Sequence, residues 1–199
     1  MVINLQKGQR ISLKKEAPSL SRVMLGLGWD VAKSQGGLFG IFSEAKEFDL
    51  DSSVLCLDAN GRIQTKEDVI YFSNLRHRSG AITHLGDNLT GAGEGDDEQI
   101  IVDLPDVPPE IVKLVFVVNI YNALDRQQDF GEIKNAFVRL VDVSNNKEIA
   151  RYNLSGEEYR DRTGMIMAEI DRDDGGWQMQ AIGRGVRVAN LEELTRSYS

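Results

Sequence analysis

The sequence predicts a mainly β protein, an antiparallel β-sandwich with a few short helices. Several segments alternate apolar and polar residues with a period of two, the signature of half-buried strands. Tight-turn sequences separate them, among them Asn60-Gly61, Ser144-Asn145-Asn146 and Asp173-Asp174-Gly175-Gly176. Helical signatures are brief, at Ser155–Glu158 and after Asn190. No linker, composition break, internal repeat or low-complexity tract divides the chain, so residues 1–199 form one domain.

In chain order, Arg22 to Trp29 sets Val23, Leu25, Leu27 and Trp29 on one face and the smaller Gly26 and Gly28 on the other. Residues 31–47 form a loop broken by Gly36, Gly37 and Gly40 yet apolar at Leu38, Phe39, Ile41 and Phe42. In Phe48-Asp49-Leu50-Asp51 the two acids share one side of an extended segment, and Val54–Leu57 continues as a strand. Val69–Phe72 is a short strand ended by Ser73 and Asn74, and His77, between Arg76 and Arg78, reads as part of a solvated turn. Gln99–Leu104 is a strand, and Lys113–Tyr121, almost wholly apolar and rich in Val, is a central one. Ala136–Val143 with Lys147–Leu154, and Met165–Ile170 with Trp177–Ile182, are hairpins. Asn190 and Glu193 have capping-box spacing before a C-terminal helix that carries Leu191, Leu194 and Tyr198 on one face.

Composition narrows the function. Hydrophobic residues at 41% and charged residues at 27% indicate a globular, water-soluble chain. A net charge of −8 argues against nucleic acid as partner, because phosphate binding wants a basic face. No apolar run approaches the roughly 18 residues of a membrane span. The opening Met-Val-Ile-Asn-Leu-Gln-Lys lacks a signal peptide's apolar core, so a cytoplasmic location is expected. The single Cys56 lies in an apolar run, which points to core packing in a reducing compartment rather than to a nucleophile.

The chemistry concentrates in Gly86-Asp87-Asn88-Leu89-Thr90-Gly91-Ala92-Gly93-Glu94-Gly95-Asp96-Asp97-Glu98, with five acids, four glycines and no Lys or Arg. Clustered carboxylates on a backbone able to turn its carbonyls inward suit a hard cation, and Ca²⁺ takes roughly six to eight oxygens. Other motifs fail on spacing. Leu89, Gly91 and Ala92 occupy ligand and turn positions of an EF-hand, and Gly95 is followed by acids rather than by a phosphate loop's Gly-Lys-Ser/Thr. Loops of a sandwich gather at its two ends. If the ends at Asp30, Asp49, Asp51, Asn74 and the acidic loop converge, they supply more oxygens than one ion needs. Two adjacent Ca²⁺ ions would then draw on Asp30, Asp49, Asp51, Asn74, Asp87, Thr90, Glu94, Asp96, Asp97 and Glu98. The alternative for the same cluster is a metal-dependent hydrolase with two ions clamping a phosphoryl group. Such sites add a substrate-facing His, Lys or Arg, and the acidic loop has none. Neither His77 nor His84 has the companions of a transition-metal site.

Gly26-Leu27-Gly28-Trp29-Asp30, Phe48-Asp49-Leu50-Asp51 and above all Gly86-Asp87-Asn88-Leu89-Thr90-Gly91 through Gly95-Asp96-Asp97-Glu98 resemble the TerD-type tellurium-resistance and general-stress proteins. The opening Leu5-Gln6-Lys7-Gly8-Gln9, the strand Lys113–Tyr121, and Phe130-Gly131 through Asn135-Ala136-Phe137-Val138-Arg139-Leu140 extend the resemblance over nearly the whole chain. It implies a non-enzymatic calcium-binding β-sandwich, a scaffold or sensor in bacterial responses to tellurite, chemical or phage stress. It also implies stress-response partners, some membrane-associated, and hence peripheral contact with the inner membrane. The 31–47 loop is longer than in compact members of that family, and Asn122 departs from an Asp, so no ligand role is carried to it.

Overall fold

The structure, a computed structural model, describes residues 2–31, 48–87, 96–154 and 157–199. Most of the apolar 31–47 loop, Thr90, Glu94 and the Ser155 end of the capping-box pattern therefore lie outside the described residues.

Among the described residues, twelve strands form two six-stranded sheets. In chain order they are β1 (Ile3–Asn4), β2 (Arg10–Ser12), β3 (Arg22–Val31), β4 (Leu50–Leu57), β5 (Val69–Ile70), β6 (Ile82–Asp87), β7 (Glu98–Asp103), β8 (Lys113–Ile120), β9 (Ile133–Asp142), β10 (Lys147–Leu154), β11 (Gly164–Asp173) and β12 (Gly176–Val186). The short helices are α1 (Leu13–Glu16), α2 (Ala123–Arg126) and α3 (Leu191–Thr195). One sheet has the order β1-β10-β9-β3-β7-β6, the other β2-β12-β11-β8-β4-β5. Every pairing is antiparallel except β1 with β10.

Alternation decides which side chains meet. Val23, Leu25 and Leu27 of β3 and Ile100 and Val102 of β7 face Val54 of β4 and Leu114, Phe116 and Val118 of β8 in one core between the sheets. The opposite face of β4 and β8 is apolar too: Leu55, Leu57, Val115 and Val117 join Ile166 under Leu194 of α3. A five-residue helix does not hold alone. Here Asn190 accepts from Glu193 N–H at 2.9 Å, and Glu193 reaches back to Ala189 N–H at 2.6 Å. The reciprocal bond thus lands one residue before the cap, and Leu194 anchors the helix.

One strand is not legible in the sequence, and one expectation needs correction. The 75–87 stretch holds a strand, β6, whose mixed Ile-Thr-His-Leu-Gly-Asp sequence gives little alternation to read. His77 is buried rather than solvated; its Nε2 lies 3.3 Å from the buried Asp68 and its Nδ1 2.8 Å from Ser79 Oγ.

The outer face of the first sheet carries a ladder of ion pairs. Arg151 donates to Glu148 at 2.8 Å, and Arg139 donates to it at 3.2 Å. Hydrogen bonds from Arg151, with Arg139 adding to them, hold the Glu148 carboxyl below its ordinary pKa against the opposing effect of desolvation. The folded pKa therefore lies below the unfolded one. The stabilisation is complete above the unfolded value of about 4.3 and is lost as pH falls through the depressed folded value. Glu148→Gln is expected to lower stability at neutral pH and to flatten the acid limb of a stability–pH curve measured by urea unfolding. An unchanged acid limb would show that the ladder carries no linkage.

Candidate metal centre

The acidic segments come together at one end of the sandwich. In the first sheet, Leu27 pairs with Glu98 and Asp87 with Glu98, so the end of β3, the start of β7 and the end of β6 are neighbours. Asp30 follows along β3, opposite Lys134. In the second sheet, Asp51 at the start of β4 lies opposite Asn119 at the end of β8, and Asp49 O accepts Tyr121 N–H at 2.8 Å. Two contacts tie the sheets together here: Ser52 N–H donates to Glu98 Oε2 at 2.7 Å, and Ser52 Oγ lies 2.9 Å from His84 Nε2.

Strand parity sends the three consecutive acids in different directions. Glu98 has the parity of Ile100 and Val102, so it points between the sheets and is buried. A carboxylate taken out of water costs several kcal/mol after relaxation, which the Ser52 N–H and the buried His84 Nε2, 3.6 Å from Glu98 Oε2, offset only in part. Asp97 is also buried and accepts from Trp29 N–H at 2.8 Å. Asp96 lies on the outer face of the first sheet, where Arg139 donates to both of its oxygens at 2.7 and 2.9 Å and Gln99 adds a bond of 3.2 Å. Gly26 makes this possible, because a Cβ there would collide with the Asp96 carboxylate. Both acceptor positions of Asp96 Oδ2 are taken, which leaves a lone pair on Oδ1 as the position through which it could meet a metal.

Asn74 closes a turn, its amide nitrogen donating to Val69 O at 2.7 Å, and is not a strand end. Among the described residues, no three His, Cys, Asp or Glu side chains converge to hold a metal by themselves. The described residues nevertheless offer suitable hard donors. Asn119 Oδ1 and Ser53 Oγ are buried without a hydrogen-bond partner in the described structure, on the face of β4 and β8 that carries Asp51. An orphaned buried carbonyl beside a carboxylate is an arrangement that a Ca²⁺ ion satisfies with oxygen ligands.

Asn119, Ser53, His84 and Arg139 were not legible as participants from the acidic motif. Parity was the available signal for the first two, since both fall on the Asp51 side once β4 and β8 are paired. Gly86 N–H donates to His84 Nδ1 at 3.0 Å, so the ring proton resides on Nε2 and is directed at Ser52 Oγ. In this arrangement His84 is a donor to Ser52, not a base that could activate it.

Cys56 is buried in the core, and burial pushes its thiol far above the ordinary range, with the negative Asp68 adding to the effect. The thiolate is the reactive form. Iodoacetamide is expected to leave native Cys56 unmodified near neutral pH and to label it after unfolding. Rapid labelling of the folded protein would reopen thiol chemistry with tellurite as a function.

Two stacked sheets with acids gathered at one end define a β-sandwich with an acidic loop pole. Residues 1–198 match the TerD domain, and the chain belongs to that family. It is 50% identical over 200 residues to stress response protein SCP2 of Bacillus subtilis (strain 168), spanning all of both chains. It is 42% identical over 185 residues to tellurium resistance protein TerD of Serratia marcescens, covering 93% of this chain and 91% of the other. The crystal structure of a telluride-resistance protein homologue from Streptomyces coelicolor A3(2) has the same fold, with a TM-score of 0.66 at 21% identity, covering 91% of this chain and 99% of that one.

Proposed function

We propose that this member of a tellurium-resistance and stress-response family is a non-enzymatic calcium-binding module. It takes two Ca²⁺ ions at the acidic pole and acts as a scaffold or sensor for other stress-response proteins. The observation that carries this reading is that the backbone positions of Asp30, Asp49, Asp51, Asp87, Asp97 and Glu98 gather at one end of the sandwich, where the orphaned Asn119 Oδ1 lies opposite Asp51 on the outer face of the second sheet. Ions bound there would neutralise the loops, fix their geometry and complete a surface for a partner. The module works in the cytoplasm, with peripheral contact to the inner membrane through its partners; no described helix is long and apolar enough to cross a membrane.

The proton position on His84 weighs against the hydrolase alternative, since it withholds a general base from the neighbouring Ser52. Calorimetric titration of chelator-stripped protein tests the proposal. Ca²⁺ should bind with a stoichiometry of two. Asp97→Asn should weaken binding far more than Asp58→Asn, because Asp58 only closes an ordinary turn by accepting Asn60 and Arg62 N–H at 2.8 and 2.9 Å. Equal losses in the two variants would mean that bulk charge, not coordination, holds the ion, and absence of heat would remove the proposal.

A further inference from the structure

Apart from the acidic pole, the fold has a second groove of opposite character. It has a volume of about 510 Å³, in the size range of small-ligand sites, and is lined by Lys7, Glu158, Tyr159, Arg162, Arg184 and Gly185 among others. Lys7 and Arg162 against Glu158 leave one positive charge in excess, on a chain whose net charge is −8; Arg184, paired with Ile166 of β11, turns its side chain to the other face beside Tyr198. Glu158 offsets Lys7 only loosely, at 3.9 Å with both side chains more than half exposed.

Arg162 is the informative residue. Its stem lies flat across Gly185, where a Cβ would stand 2.6 Å from Arg162 Cγ and 3.1 Å from its Cβ. The missing side chain at Gly185 therefore seats the arginine. Six arginines of the described structure pair with carboxylates, among them Arg10 with Asp171, Arg22 with Asp103, Arg139 with Asp96 and Arg196 with Glu192. Arg162 has no carboxylate partner among the described residues. A seated, unneutralised guanidinium in an acidic protein presents a fixed fork of donors to an anion.

We infer that this groove binds a small phosphate monoester, its phosphate held by Arg162 and Lys7 and its organic part against the Tyr159 side. A phosphate monoester presents three oxygens and close to two negative charges at neutral pH, enough to bridge the guanidinium fork and the ammonium at once; a carboxylate presents two oxygens and one charge. The inference stands apart from calcium binding, since it uses none of the acidic-pole residues.

The test is an amide and arginine Nε–H NMR titration of the full chain with glycerol 3-phosphate, and with glycerol as the control. Saturable shifts are expected at Gly8, Arg162 and Gly185, with half-saturation at or below about 1 mM, and none with glycerol. Arg162→Gln should weaken binding by about tenfold or more with an unchanged melting temperature. Gly185→Ala, which unseats Arg162 without removing its charge, should weaken it too. Pelleting with phosphatidic acid vesicles that is lost in Arg162→Gln would identify a lipid headgroup as the source of the phosphate. Binding of the free ester without pelleting would identify a soluble one. Shifts that do not saturate, that appear equally at Arg10 and Arg22, or that survive in Arg162→Gln and Gly185→Ala would overturn the inference.

Discussion

Calcium raises the melting temperature of this protein by about 5–10 °C when added at a hundred times its dissociation constant: this is the expected result of a thermal scan on chelator-stripped protein. A ligand at that excess stabilises by about 2.7 kcal/mol, and a domain of this size shifts by about 2–4 °C per kcal/mol. The physical source is the acidic pole. Without an ion, Glu98 and Asp97 are buried carboxylates on adjacent residues, and Asn119 Oδ1 is a buried acceptor without a donor in the described structure. A divalent cation at the pole would offset the repulsion among the acids, and one beside Asp51 would satisfy the orphaned oxygen. Mg²⁺ should do less, because it demands a tight octahedron and sheds its water reluctantly. Equal shifts with the two ions would count against a site shaped for calcium.

Arg139→Gln should be the most damaging single substitution on the outer face of the first sheet. The Asp96 side chain is fully buried and both its oxygens accept from Arg139. Removing the guanidinium leaves a buried charge with only Gln99 as a side-chain donor among the described residues. Breaking a buried pair in this way costs about 3–5 kcal/mol, and the lower end applies here because Arg139 is itself a quarter exposed. A melting temperature lower by about 6–12 °C is expected. Arg139→Lys should recover only part of the loss, since a point charge cannot reproduce the two-pronged contact. Asp96→Asn in the Arg139→Gln background should recover stability, because it removes the stranded charge. A loss under 1 kcal/mol in the single variant would show that water reaches Asp96 and that the pair is an ordinary surface one. Because Asp96 adjoins Asp97, the same variant also asks how the anchor bears on the pole. If the pair holds the base of the acidic loop, calcium affinity falls with it; if Arg139 competes with the ion for Asp96, affinity rises.

The sequence alone determined those features that depend on neighbours along the chain. The Val23, Leu25, Leu27 alternation fixes which face of β3 enters the core, since side chains alternate across a strand whatever it pairs with. The Ser144-Asn145-Asn146 turn fixes the β9–β10 hairpin, with Asn146 at φ 55, because only a few residues tolerate a left-handed backbone. Asn190 marks the start of α3 for an equally local reason, the bond it accepts from Glu193 N–H. The acidic motif identified the pole in the same way, through its own composition. Tertiary structure decided what each polar side chain meets. Asp96 looks like its neighbours in the motif, but it lies beside Gly26 and Arg139, the latter 43 residues away, and becomes an anchor on the outer face. Glu98 crosses instead to Ser52, 46 residues away on the other sheet. His77, flanked by two arginines, is buried because Asp68 comes to it from nine residues earlier in the chain. Hydrogen bonds and ion pairs act over a few ångströms and are set by sheet order and register, and neither is written in the spacing of residues along a single strand.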